Sequence, residues 1–174
     1  MTTTVWTIGH SNRSIEEFLA LLATFAIGAI ADVRRHPGSR RLPQFGREAL
    51  AQALEARGIA YVWLPALGGR RRPRPDSRND AWENESFRGY ADHLESDEFA
   101  SGLVELVNTA SALPTAIMCA EALWWRCHRR IVADVLVARG FDVVHILGAH
   151  DAAAHAIAPP ARLVNGQLTY ATAD

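Results

Sequence analysis

A chain of 174 residues, 49% hydrophobic and 21% charged, has the size and composition of one globular domain, which excludes a disordered or fibrous protein. The formal net charge is -1 and the sequence pI is about 6.7, so no overall charge draws the chain onto nucleic acid or a membrane. All 18 basic residues are arginine, which excludes lysine-based catalysis and leaves arginine side chains and backbone amides to recognise anions.

Apolar runs alternate with amphipathic segments in the first half of the chain, a pattern typical of βαβ units. It predicts strands at residues 4–8, 27–31 and 59–64. Ser14 and Glu17 form a capping-box pattern that predicts a helix over residues 14–26. A second helix is expected over residues 47–57, where Gly58 ends it.

The second half continues the alternation after a long polar stretch at residues 70–85. That stretch is either a mobile loop or a functional one. Helical pattern then covers residues 86–110, with a break near Ser96 and Asp97. A strand at 114–118, a helix at 126–139 and a strand at 142–147 follow. Asn165-Gly166 within residues 162–170 predicts a β-hairpin.

These elements predict one three-layer α/β domain over residues 1–174. It has a mostly parallel sheet of about five strands, helices on both faces and a C-terminal β-hairpin. There is no signal-peptide pattern, and no apolar run approaches about 18 residues. We therefore expect a cytoplasmic protein with no membrane association and with its two cysteines reduced.

Reactive side chains follow the ends of the first, second and fourth predicted strands. Ligands bind outside the carboxyl ends of parallel strands because loops and helix N-termini converge there. We therefore expect a functional site at this edge of the sheet. The residues concerned are His10, Ser11, Asp32, Arg34, Cys119, Glu121, Cys127 and His128.

Six strings occur in order along the chain. They are TIGHS from Thr7, DVRRHPGSR from Asp32, LPALGG from Leu64, FRGYADHL from Phe87, MCAE from Met118 and CHRRIVADVL from Cys127. Together they closely resemble the domain-of-unknown-function family numbered 488, over nearly the whole chain. The resemblance implies a compact α/β fold in which these strings form a shared cleft, and it specifies no reaction. Residues 70–85 match none of the strings associated with the family.

Cys119 comes directly after an apolar strand and is a candidate nucleophile or substrate ligand. Its thiolate would be stabilised if the helix starting near Arg126 points its N-terminus at the sulfur. The alternative is a cysteine that only packs in the core.

Glu121 would face the same way as Cys119 on an extended segment, so it is a candidate general acid or base. Alternatively, Glu121 pairs with an arginine or caps the next helix.

Cys127, His128 and Arg129 lie near the first turn of that helix, where free backbone N–H groups favour anions. Cys127 and Arg129 are candidate substrate-binding residues. His128 is a candidate acid or base, because imidazole groups change charge near neutral pH. The alternative is a helix with its cysteine packed inward and its arginines in solvent.

His10 and Ser11 follow Gly9 on the exit loop of the first strand, where they would relay protons or bind an anion. An ordinary turn with a helix cap explains Ser11 almost as well. Asp32 and Arg34 are expected to form an ion pair. In that pair, Asp32 would orient a histidine and Arg34 would reach the substrate.

Gly68 and Gly69 would let backbone amides approach an anion beside the arginines of residues 70–85. The sequence contains neither the G-x-G-x-x-G fingerprint nor a phosphate-binding loop, so no cofactor is expected. Cys119, Cys127, His10 and His128 do not have a usual zinc-site spacing, so no metal is expected either.

Three functions stay open. The favoured one is an enzyme, a hydrolase or transferase, that acts on a small anionic or nucleotide-like substrate by acid/base or thiol chemistry. The first alternative is a non-catalytic module that binds nucleic acid or a nucleotide through the arginine-rich stretch. The second is a dithiol redox sensor using Cys119 and Cys127, which requires their Cα atoms to lie within about 7 Å.

Overall fold

A computed structural model describes residues 2–174 of the chain as a mixed α/β structure. Its strands are β1 (Thr4–Gly9), β2 (Ala29–Asp32), β3 (Ala60–Trp63), β4 (Thr115–Cys119), β5 (Asp142–Gly148), β6 (Asp151–Ala154), β7 (Arg162–Val164) and β8 (Gln167–Thr169). Its helices are α1 (Ile15–Thr24), α2 (Arg47–Glu55), α3 (Glu85–His93), α4 (Asp97–Ala112) and α5 (Arg129–Ala138). Short 3-10 turns cover Pro43–Phe45, Pro65–Leu67 and Trp124–Arg126.

The main sheet has six strands in the order β3-β2-β4-β1-β5-β6. The first five are parallel, and β6 pairs antiparallel with the edge strand β5. Strands β7 and β8 form the separate hairpin, with Asn165 and Gly166 both at positive φ in its turn. The predicted α/β fold with a mostly parallel sheet and a C-terminal hairpin is therefore confirmed. The sequence did not predict the short strand β6.

Helices cover both faces of the sheet and give two hydrophobic cores. On one face, α1 and α2 pack Phe18, Leu22 and Leu50 against strand residues such as Ile8 and Ile30. On the other face, α3, α4 and α5 pack against the opposite side chains of the same strands. Central strands buried on both faces explain why the predicted strands are continuous apolar runs.

Local signals fix the helix boundaries. Ser14 accepts a hydrogen bond from the backbone N of Glu17 at 3.1 Å and so caps α1. Ser96 does the same for Phe99 at 3.1 Å, which begins α4 as a separate helix after α3. The predicted break near Ser96 is therefore confirmed, and its cause is a new N-cap.

The long polar stretch at residues 70–85 is held against α3 by the buried carboxylate of Asp92. That carboxylate accepts hydrogen bonds from the Arg74 backbone N at 2.7 Å, the Ser77 hydroxyl at 2.6 Å and the Asn79 amide at 2.7 Å. Burial of Trp82 anchors the end of the stretch. The stretch is therefore an ordered covering of one face, although its sequence resembles a solvated loop.

The topology opens a crevice at the carboxyl edge of the sheet. Strands β1 and β4 are neighbours, but the chain leaves β1 for α1 on one face and β4 for α5 on the other. Loops that diverge from adjacent parallel strands leave a depression between them, where ligands bind in such folds. Within residues 2–174, no helix is long and apolar enough to cross a membrane.

Candidate functional site

A cavity of about 820 Å³ lies at this crevice. Its walls come from the loops that follow β1, β2, β3 and β4 and from the first turns of α3 and α5. The expected edge of the sheet therefore carries a large concave surface.

The side chains that line the cavity are strongly biased toward positive charge. Only one carboxylate, that of Glu121, faces them among the described residues. This local bias contrasts with the net charge of -1 for the whole chain. The cationic and imidazole side chains of the lining are Arg34, Arg35, Arg70, Arg126, His10, His36 and His128.

A pair of free thiols forms the floor of the cavity. Cys119 ends β4 and Cys127 precedes α5, and their Sγ atoms are 2.9 Å apart in hydrogen-bond contact. Both line the cavity, yet they are only 3% and 7% exposed. A ligand that reaches the floor would therefore meet two thiols in a largely water-excluded position.

Arg129 lies behind the thiols and is 1% exposed. Its Nε donates to Cys119 Sγ at 3.0 Å, and one terminal nitrogen donates to Thr7 Oγ1 at 2.9 Å. The other terminal nitrogen donates to the backbone oxygen of Glu121. Within residues 2–174, no carboxylate forms an ion pair with this guanidinium. Because buried charges need a counter-charge, the geometry favours a negative charge on the neighbouring sulfurs.

His128 contacts Cys127 through its ring. Its Nδ1 lies 3.4 Å from Cys127 Sγ, and its Nε2 lies 3.2 Å from the carbonyl oxygen of Val33. Because a carbonyl oxygen only accepts hydrogen bonds, Nε2 must carry a proton and Nδ1 faces the sulfur. The result is a thiol, an imidazole nitrogen that can act as a base toward it and a carbonyl group that orients the ring.

The two thiols differ in acidity. The hydrogen bond from Cys119 lowers the pKa of Cys127 well below its usual range, and nearby His128 and Arg129 lower it further. Burial and the adjacent Cys127 raise the pKa of Cys119. Of the two sulfurs, Cys127 is therefore the better candidate for a thiolate at neutral pH.

Asp32 and Arg34 form a buried bidentate ion pair. Arg34 donates from Nε at 2.9 Å and from a terminal nitrogen at 2.7 Å to the two carboxylate oxygens of Asp32. Its other terminal nitrogen donates to the Phe45 carbonyl oxygen at 2.8 Å and lies 3.4 Å from His10 Nε2. Tyr61 donates a further hydrogen bond to Asp32. Most of the N–H donors of Arg34 are therefore bonded within the protein, and these bonds hold the β2 exit loop in place.

His10 is wedged between Arg34 and the ring of Phe45, on which it stacks at 4.3 Å. Its Nδ1 lies 2.8 Å from the Ser11 carbonyl oxygen. Burial lowers the pKa of His10, and Arg34 adds to this effect. His10 is thus held as a neutral ring with Nε2 turned toward Arg34.

Close backbone packing explains the glycines of the site. A Cβ on Gly9 would lie 1.9 Å from the backbone oxygen of Glu121, which Arg129 also contacts. A Cβ on Gly68 would meet Arg35, and one on Gly69 would lie 2.8 Å from His128 Nδ1. Gly68 and Gly69 therefore make room for cavity side chains.

The structure brings most of the predicted site residues to one place. Seven of them line the cavity: His10, Arg34, Gly69, Cys119, Glu121, Cys127 and His128. Four lie behind or beside it: Ser11, Asp32, Gly68 and Arg129. Glu121 is exposed at the rim, where its carboxylate accepts from the Leu123 backbone N at 3.1 Å, so it partly serves as a cap.

Exposed side chains also line the cavity: Arg35, Arg70, Arg126 and Trp125, the last with 41% of its surface exposed. Of these, the sequence did not single out Arg35. The carbonyl oxygen that orients His128 belongs to the backbone of Val33, so no residue type in the sequence could have indicated it. No group of three or more His, Cys, Asp or Glu side chains in the described part of the chain could hold a metal ion.

A buried chain of hydrogen bonds runs from Arg129 to the C-terminal hairpin. Thr7 Oγ1 contacts His145 Nδ1 at 2.6 Å, and His145 Nε2 contacts His155 Nδ1 at 2.9 Å. His155 Nε2 contacts the Asp134 carboxylate at 2.6 Å, and this carboxylate also accepts from the Tyr170 hydroxyl at 2.7 Å. Arg129 only donates and Asp134 only accepts, so the hydrogens of the whole chain point toward Asp134.

Comparison with known proteins gives one match. The family model described as "Domain of unknown function DUF488" matches residues 14–136, which contain the exit loop of β2, both thiols and His128. Neither the curated proteins nor the solved structures include a match to the chain. Since the matched segment covers well over half of the sequence, the chain belongs to the DUF488 family of domains of unknown function.

Proposed function

We propose that this protein is an enzyme that acts on a small anionic or nucleotide-like substrate by thiol chemistry. Cys127 is the nucleophile, and His128 accepts and returns its proton. One observation carries the proposal: a contacting thiol pair, backed by a buried arginine with no carboxylate partner among the described residues, forms the floor of an arginine-lined cavity.

The rim arginines support an anionic substrate. Arg35, Arg70 and Arg126 are exposed at the cavity, and none of them forms an ion pair with a described residue. Guanidinium groups bind carboxylates and phosphates bidentately, and a cleft lined by one sign of charge concentrates the opposite sign. The volume of about 820 Å³ suits a ligand of nucleotide size, and Trp125 offers a ring surface for stacking.

The surroundings of Cys127 support covalent catalysis. The thiol proton passes to His128 Nδ1, and the Val33 carbonyl oxygen keeps the ring in the required orientation. The backbone N of Arg129, at the N-terminal end of α5, donates to Cys127 Sγ at 3.5 Å, and the charge of the Arg129 guanidinium also lowers the pKa of this thiol. The thiolate attacks an electrophilic centre of the substrate, and protonated His128 supplies the proton that the leaving group needs.

The other candidate residues take supporting roles. Cys119, the nucleophile favoured by the sequence, donates a hydrogen bond to Cys127 in this proposal because its own pKa is raised. Asp32 and Arg34 fix the loop that carries Val33. Glu121 lies at the rim, where it can exchange protons with solvent or with a substrate hydroxyl.

The experiment compares two alkylating reagents of similar size, the anionic iodoacetate and the neutral iodoacetamide, with modification of Cys127 followed by mass spectrometry. Relative to a free thiol, the protein should favour iodoacetate, and phosphate or nucleotides should protect Cys127. Arg126→Gln should reduce this preference. Arg57→Gln, which changes an exposed arginine just past the end of α2, should not.

Equal preference for the two reagents, with no protection by any anion, would overturn the proposal. Protection by long nucleic acid but not by mononucleotides, lost steeply as salt rises, would instead support a nucleic-acid-binding module.

A further inference from the structure

We infer that the reaction is reductive and that the substrate is a small anionic disulfide, cleaved by Cys127 and released by Cys119. The inference rests on the proposed role of Cys127 as nucleophile and adds the class of reaction and of substrate.

The proposed nucleophile has a second thiol as its neighbour. The chain has two cysteines, eight positions apart, and they meet with their sulfurs 2.9 Å apart at the floor of the cavity. A disulfide joins its sulfurs at about 2.05 Å, so this pair lies within about 1 Å of bonding distance. Acyl or phosphoryl transfer through a thiol needs a base and an oxyanion donor, but it has no use for a second thiol against the first.

Arg129 connects the two sulfurs electrostatically. Its Nε donates to Cys119 Sγ at 3.0 Å, while its backbone N donates to Cys127 Sγ at 3.5 Å. The residue therefore stabilises negative charge on whichever sulfur carries it. A resolving thiol must become a thiolate after the first step, and this guanidinium already contacts the sulfur that would do so.

The Cys127 thiolate attacks one sulfur of the substrate disulfide, a Cys127–substrate disulfide forms, and the other half of the substrate leaves as a thiolate. Protonated His128 gives the proton that it took from Cys127 to this thiolate. Cys119 then attacks Cys127 Sγ and expels the second half of the substrate, which takes the Cys119 proton. The substrate gains two electrons and two protons, and the two cysteines lose them in forming one disulfide. An external dithiol reduces that disulfide and completes the cycle.

Charge and shape select the substrate. Exposed Arg35, Arg70 and Arg126 favour disulfides that carry carboxylates, and the ring of Trp125, which also lines the cavity, favours flat or apolar groups. Cationic disulfides should be rejected, because Glu121 is the one carboxylate among the described lining residues.

The test uses the full reduced chain and two aromatic disulfides. Dithiobis(nitrobenzoate) carries carboxylates, and dithiodipyridine carries none. The protein should react with the carboxylate reagent faster, by about tenfold relative to a free thiol, as expected for charge attraction. Mass spectrometry should find a chain lighter by two hydrogens, in which Cys119 and Cys127 are joined and no reagent is attached.

Variants identify the two steps. Cys119→Ser should stop at a stable adduct on Cys127, and Cys119→Ala should behave in the same way if serine perturbs the fold. Arg126→Gln should lose the preference for the carboxylate reagent, while Arg57→Gln should keep it.

A wild-type chain that keeps one or two reagent adducts and forms no internal disulfide would overturn the reductive reaction. If Cys127 still reacts preferentially with iodoacetate, the proposed thiol enzyme stands without this reaction. If Cys127 is inert to every reagent, both proposals fall together.

Discussion

The Nε of Arg129 donates a hydrogen bond to Cys119 Sγ at 3.0 Å, and this contact links the buried cation to the two thiols. Within residues 2–174, the guanidinium has no carboxylate partner, so a thiolate is its nearest available counter-charge. Burial of an unpaired charge is costly. When Cys119 and Cys127 share a single proton, the pair of sulfurs carries one negative charge, which neutralises the guanidinium locally. The arginine and the thiols therefore depend on each other.

Replacing Arg129 should make Cys127 less reactive. Arg129→Gln removes the positive charge and should raise the pKa of the Cys127 thiol, because Arg129 is one of the groups that lower it. Once the pKa lies above the working pH, each further unit lowers the thiolate fraction about tenfold, and the alkylation rate should fall with it. Arg130→Gln is the matched control, since Arg130 points away toward Trp82 and the Pro159 carbonyl oxygen. Equal rates in the two variants would contradict this role for Arg129.

The buried histidine chain should make the protein sensitive to acid. Burial, helped by His155 and Arg129, lowers the pKa of His145 to about 3, while the unfolded chain binds a proton at its ordinary value near 6.5. Below about 6.5, only the unfolded state takes up that proton, so stability is lost as pH falls toward 3. The slope from this residue is about 1.4 kcal/mol per pH unit.

Urea unfolding at several pH values measures this effect. His145→Gln should unfold with a shallower dependence on pH, whereas exposed His150→Gln should keep the wild-type slope. An unchanged slope in His145→Gln would show that His145 is not the group responsible.

A methyl group at Gly9 should disturb the site by displacing the loop that follows β4. The Cβ of Gly9→Ala would lie 1.9 Å from the Glu121 backbone oxygen, so the loop that this oxygen belongs to must move. We expect a loss of about 1–3 kcal/mol in the free energy of unfolding and slower alkylation of Cys127. Gly38→Ala is the control, because nothing lies within 4 Å of its Cβ. A neutral result at Gly9 would mean that the loop packs less closely than described.

Loss of the Asp92 carboxylate should release residues 70–85. Asp92→Ala leaves the backbone N of Arg74 and the side chains of Ser77 and Asn79 without their acceptor. Trypsin should then cleave after Arg78 more rapidly, because local opening exposes the bond. Asp151→Ala, at an exposed aspartate on β6, should leave the cleavage rate unchanged. If both variants resist trypsin equally, the stretch is held by other contacts.

The fold could be predicted from the sequence because the spacing of apolar residues and the residues that begin or end helices indicate the same elements along the chain. Buried parallel strands are continuous apolar runs, and Ser14, Ser96 and Gly58 end or begin helices for local reasons. Strand β6 was not predicted because its side chains are all exposed, so no alternation of apolar and polar residues appears.

The site was predicted only in part. Cys119, Asp32 and His10 lie at or just after the ends of parallel strands, so they must share one edge of the sheet however the helices pack on it. The contact between Arg129 and Cys119, and the path from Thr7 to Tyr170, depend instead on how α5, β5 and the C-terminal hairpin pack together. Hydrophobic periodicity carries no information on such pairings, and a buried histidine or arginine looks like a surface residue in the sequence.

The proposed chemistry requires a thiolate at Cys127, and the pH dependence of the Cys127 alkylation rate is the decisive measurement. Iodoacetamide and peptide mass spectrometry on the native chain would give the rate for Cys127, with Cys119 as the comparison within the same molecule. We expect an apparent pKa for Cys127 well below the value of about 8.5 for a free cysteine, and slower reaction at Cys119. An apparent pKa at or above that value, or an inert Cys127 at every pH, would contradict it.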